Sequence, residues 1–125
     1  MDTETVELKE KCDYHAPDVS EIYKLADGSK GGLCQCILPV GGKSKATSHK
    51  TVEEVWYFVE GQGEAYRRGF NNDKPTAVKS GTSLVIPVKT TFQFRNIGEV
   101  PLKFIIATMP PWPGPSEAKM ETGIW

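Results

Sequence analysis

His49 and Glu54 stand five residues apart in the stretch Thr47-Ser48-His49-Lys50-Thr51-Val52-Glu53-Glu54-Val55-Trp56-Tyr57-Phe58-Val59-Glu60-Gly61. An imidazole and a carboxyl so placed have two chemical uses: moving protons as general base and acid, or supplying two ligands to a metal ion. An imidazole beside a carboxylate tends to a raised pKa, and burial pushes a carboxyl without a cation upward, so the pair is expected to titrate near neutral pH. The alternative is a polar pair without turnover, bonded to Thr47, Asn96 and water. Cys34 and Cys36, two residues apart, share a strand face. Two thiolates with His49 and Glu54 make an acceptable zinc set, while unpaired cysteines in such a strand more commonly pack as small hydrophobes. Selectivity would come from the remaining inward groups. Arg67, Arg68 and Arg95 carry guanidinium forks suited to a carboxylate or phosphate, but alternation turns Arg95 outward and admits only one of the adjacent Arg67 and Arg68. Trp56, Phe58, Phe92 and Phe94 fall on inward positions and offer an aromatic wall that suits a planar ring or a sugar, or simply a core. Glu53 alternates outward, and His15 reads as a lone exposed histidine.

The elements that must hold these groups are short. Apolar and β-branched runs are cut by glycine and proline, with no convincing helical period, so the chain reads as all-β. Strands are expected at 22–26, 32–38, 46–49, 54–60, 63–68, 76–78, 83–86, 91–96 and 102–108. The turns between them carry suitable residues, as in Asp27-Gly28-Ser29-Lys30-Gly31 and Gly61-Gln62-Gly63. Strands this short and regularly punctuated imply a sandwich or barrel. Three segments follow: an amino-terminal arm over 1–19, a barrel over 20–109, and a proline-rich tail over 110–125. Four prolines among residues 110–115 forbid a ladder there. The tail is expected to lie along the barrel with Trp112 docked.

Composition bounds the rest. With 125 residues, 15 Lys and Arg, and 16 Asp and Glu, the chain has room for one core and no basic excess to attract nucleic acid. The acidic start, Met1-Asp2-Thr3-Glu4-Thr5-Val6-Glu7, lacks a signal-peptide pattern, and no apolar run approaches membrane-spanning length. Cys12, Cys34 and Cys36 are an odd count without zinc-type spacing, which suits free thiols in a reducing compartment. A cytoplasmic protein with no membrane partner is the expectation.

The stretch around His49 resembles the first motif of the cupin superfamily: a His-x-His pair, a glutamate after a short gap, and a turn glycine after six more residues. Here the pair reads Thr47-x-His49, followed by Glu54 and Gly61. A second motif, Gly81, Pro87-Val88-Lys89, Phe92 and Asn96, keeps the family's spacing, with Lys89 where the family has glycine and Phe92 where it has histidine. The resemblance covers roughly residues 30–108. It implies a double-stranded β-helix, a jelly-roll barrel often found as a homodimer, with its site inside. Most members hold iron, manganese, nickel or zinc with three histidines and a glutamate. The corresponding positions here are Thr47, His49, Glu54 and Phe92, of which two can ligate well, so no metal and no cofactor are expected and Phe92 is expected to fill the place of the ion. The favoured function is binding of a small metabolite, a sugar or small carboxylate, in a pocket of Thr47, Trp56, Phe58, Arg67, Phe92, Phe94 and Asn96. The alternatives are an isomerase, lyase or dehydratase using His49 and Glu54 as its catalytic acid and base, and a metal-dependent enzyme with unusual ligands.

Overall fold

The computed structural model describes residues 5–125, so the first four residues of the acidic start lie outside the described residues. The strands are β1 (Tyr14–His15), β2 (Glu21–Asp27), β3 (Gly32–Leu38), β4 (Thr47–His49), β5 (Glu53–Glu60), β6 (Gln62–Arg67), β7 (Thr76–Lys79), β8 (Ser83–Ile86), β9 (Phe92–Asn96), β10 (Leu102–Met109) and β11 (Ala118–Met120). All pairings are antiparallel and form two sheets, ordered β1-β2-β3-β10-β5-β8 and β11-β4-β9-β6-β7. This is the expected all-β double-stranded helix. Each of the nine expected strands is present within one or two residues of its expected bounds.

Alternation explains the packing. Along β5, Glu54, Trp56 and Phe58 are buried while Glu53, Val55, Tyr57 and Val59 are exposed. The cross-strand register then stacks the inward residues in rows. Thr108 pairs with Glu54 and Gly32, Ile106 with Trp56 and Cys34, Phe104 with Phe58 and Cys36, and Leu102 with Leu38. The Leu102 row, with Phe58, is the dry end of the core, and Phe94 and Phe104 lie between it and the cavity. The rings of Trp56 and Phe58 each lie 4.6 Å from Phe104, centroid to centroid, and Phe94 meets Phe104 edge-on at 5.3 Å. The Thr108 and Ile106 rows, which carry Glu54, Trp56 and Cys34, line the open end.

Two strands were not expected. β1 pairs with β2, and β11 pairs with β4 through Ala118↔His49 and Met120↔Thr47. Both are short and exposed, so neither carries the apolar alternation from which strands are read. The proline run does end β10 at Met109, and the chain regains a ladder only beyond it.

Turns fix the corners. At Gly61 φ is +92°, and a Cβ there would stand 2.7 Å from the Pro101 carbonyl oxygen, so both conformation and space require glycine. The turn after β8 is less accommodating. Lys89, where the family has glycine, keeps a left-handed φ of 65°, and its N–H donates to the His49 carbonyl at 2.8 Å.

Candidate functional site

His49 closes β4 and Glu54 opens the inward face of β5, which brings both into one cavity of about 350 Å³ between the sheets. The cavity also takes in Thr47, Trp56, Phe92 and Phe94 from the expected pocket, and Cys34 and Cys36 from β3. Phe58, Arg67 and Asn96 do not line it. Alternation assigns a face but not a depth. Asn96 lies four residues along β9 from Phe92, about 13 Å at strand rise, and Phe58 sits in the dry row. The Asn96 amide instead donates to the Leu38 and Val100 carbonyls and accepts from the Gly98 N–H. Arg67 lies at the end of β6, donates to the Val85 carbonyl at 2.9 Å and lies over the Phe70 ring. Arg95 faces outward as expected, paired with Glu64 and stacked on Trp125.

The His49 ring is buried, packed edge-on by Phe92 at 5.2 Å and Trp112 at 5.0 Å. Its Nδ1 has no hydrogen-bond partner and lies 3.8 Å from Glu54 Oε2, too far for a direct bond. Glu54 accepts a hydrogen bond from Trp56 Nε1 at 2.8 Å. Burial pushes the Glu54 carboxyl up to about 8, with Asp18 and Glu117 adding to the rise and the Trp56 bond opposing it. Burial pushes His49 down to about 4, against the pull of Glu117. The expected rise of the histidine is therefore reversed: near neutral pH Glu54 holds its proton, leaving no ion pair to charge the ring. Thr47 Oγ1 donates to the Lys45 carbonyl at 3.2 Å, so neither Thr47 nor Asn96 completes a hydrogen-bonded set around His49.

Among the described residues, no three His, Cys, Asp or Glu side chains converge to hold an ion. The family's metal positions do not fit one here: the Thr47 hydroxyl is bonded to the Lys45 carbonyl, and the Phe92 ring lies against His49. Nor do the thiols complete a set with His49 and Glu54. Burial pushes Cys34 up to about 12 and Cys36 well above the ordinary thiol range, so both remain protonated and poor donors.

Several lining residues were not among the expected site residues. Tyr14, Asp18 and Asp27 arrive from the arm and β2, and Trp112 from the tail. Asp18 is buried, and its Oδ1 accepts from the Ser20 N–H at 3.0 Å and the Ser20 hydroxyl at 2.6 Å. This local aspartate turn is the one signal the sequence offers for it. Burial holds its carboxyl above the usual range. Behind His49, Glu117 accepts from the Thr51 N–H and hydroxyl and from the Val52 N–H, and these bonds hold its carboxyl low although burial opposes them. Trp112, expected to dock on the barrel, packs against His49 of β4 and forms part of the cavity wall.

Comparisons with known proteins agree with this geometry. An uncharacterised protein of Methanocaldococcus jannaschii, MJ1618, is 41% identical over 91 residues, spanning 73% of this chain and 67% of that protein. A Klebsiella pneumoniae protein with a double-stranded β-helix domain superposes with a TM-score of 0.69 at 12% identity, covering 97% of this chain and 93% of that one. A predicted oxalate decarboxylase from Thermotoga maritima gives 0.64 at 20% identity, over 73% and 80% of the two chains. The cupin domain family matches residues 35–108, and with two facing antiparallel sheets around a central cavity the chain belongs to the cupin family.

Proposed function

We propose that this protein binds a small organic molecule inside the barrel, using aromatic walls and the His49–Glu54 pair rather than a metal held by the family's usual ligand positions. The observation that carries the reading is the unpartnered Nδ1 of buried His49, 3.8 Å from the Glu54 carboxyl in the wall of a cavity of about 350 Å³. That volume suits a compact ring compound, and a buried polar atom without a partner normally meets a ligand or water. The likeness to the Thermotoga maritima protein, at 20% identity, concerns the fold and brings no oxalate chemistry with it. Free Cys12, Cys34 and Cys36 suit a reducing, cytoplasmic compartment.

One observation favours an enzyme as the second reading. His49 and Glu54 are pushed to about 4 and about 8, so between those values an unprotonated imidazole faces a protonated carboxyl. Environments that separate two pKa values in this way assign a base and an acid, which suits an isomerase, lyase or dehydratase.

The deciding experiment screens sugars and ring-bearing metabolites by NMR for binding, then for turnover. On the binding reading, His49→Ala weakens the ligand and no product forms. On the enzymatic reading, turnover follows a bell between pH 4 and 8, and His49→Ala abolishes it while the circular dichroism spectrum is unchanged. Full turnover in His49→Ala removes the histidine from any mechanism.

A further inference from the structure

We propose that the cavity selects an organic cation, a compact ring-bearing amine, over neutral and anionic molecules of the same shape. The inference rests on the reading of the cavity as a ligand site and assigns that ligand a charge.

The charges around the space are unbalanced. Asp18 and Glu54 line it and are buried, Asp27 stands at its exposed edge, and Glu54, protonated near neutral pH while the cavity is empty, ionises when a cation stands beside it. Among the described residues, the single cationic side chain in the lining is Lys24, which is exposed. Glu117 stands close enough behind His49 to act on it. The guanidinium best placed by sequence to receive an anion, Arg67, is turned away onto Phe70 and the Val85 carbonyl. A carboxylate entering here would bring more negative charge to buried acids with no buried cation to meet it.

Hydrogen-bond chemistry points the same way. A neutral imidazole protonated at Nε2 presents Nδ1 as an acceptor, and this atom is buried and without a partner. Glu54 presents Oε2 beside it at 3.8 Å. An ammonium is a donor without acceptors, so it donates to Nδ1 and, once the Glu54 proton has left to solvent, to Oε2 as well. The rest of the wall is aromatic: Tyr14, Trp56, Phe92 and Trp112 offer ring faces that attract a cation and edges that pack against a ring.

Benzylamine, benzyl alcohol and benzoate share a ring and differ in head-group charge. Each is titrated into the full chain, with the indole N–H signals of Trp56 and Trp112 as reporters and Trp125, stacked on Arg95 outside the cavity, as the control. Benzylamine is expected to shift the first two signals but not the third. It should bind on the order of tenfold more tightly than the alcohol, with benzoate weaker still. Glu54→Gln should bring the amine down toward the alcohol. If the alcohol or benzoate shifts the same signals at equal or lower concentration, the cation preference is overturned while the cavity remains a ligand site. If no probe moves either indole up to its solubility limit, the binding reading itself fails, and this inference with it.

Discussion

Glu54 illustrates how burial rather than pairing sets the chemistry of a side chain. Its folded-state pKa of about 8 lies above the ordinary 4.5, so its contribution to stability is fully present below pH 4.5. That contribution declines as the pH rises, because the unfolded carboxyl ionises freely and the buried one does not; above about 8 the loss is complete. His49 acts in the opposite sense: its contribution is full above 6.5 and is lost as the pH falls through about 4. Asp18, also raised, shares the sign of Glu54. Glu54→Gln is therefore expected to be more stable than the parent at pH 9, by on the order of a few kcal/mol, with the gap closing toward pH 4.5. Urea denaturation across that range measures it, and parallel curves for the two proteins would refute it. At this scale the sequence revealed the His49–Glu54 pair and the faces of Trp56, Phe92 and Phe94, because each sits in a strand with clear alternation. Asp18 and Tyr14 were not legible as site residues, since contacts between distant segments place them.

Elements were legible in proportion to their apolar pattern. β5 and β10, eight residues each, alternate along nearly their whole length, whereas β1 and β11 are exposed and gain their strand character from the neighbours they pair with. Depth was the quantity alternation could not supply, which is why Phe58 and Asn96 read as pocket residues and lie beyond it. The Pro87-Val88-Lys89 turn shows a frame kept under strain: the spacing matches the family, but a lysine holds a left-handed conformation that glycine adopts freely. Lys89→Gly is expected to raise stability by about 0.5–1 kcal/mol, after allowing for the extra freedom glycine gives the unfolded chain. Thermal or urea unfolding tests this, with Lys89→Ala as the control that should give no gain. Equal stability for the glycine and alanine variants would show the turn to be relaxed.

For the molecule as a whole, the outer face of the six-stranded sheet stands out. Register aligns Leu33, Ala107, Val55 and Val85 in one row across β3, β10, β5 and β8, with Ile105 and Tyr57 in the next. Leu33, Val55, Tyr57 and Val59 are between 39% and 51% exposed, a contiguous apolar strip that soluble surfaces seldom leave bare. We propose that a second copy of the chain covers it, since one strip laid against its twin about a two-fold axis is self-complementary. Light scattering should then give a dimer mass, and Tyr57→Lys should give a monomer; a monomeric parent at working concentration would dispose of the idea. The cavity has a different division of labour. Its floor and the His49–Glu54 pair fall within residues 35–108, the part matched to the family, whereas Tyr14, Asp18, Asp27 and Trp112 fall outside. Ligand preference can therefore be transplanted: exchanging residues 14–18 and 112–114 for those of another small barrel replaces most of the rim chemistry and leaves the β2–β3 and β4–β11 pairings in place.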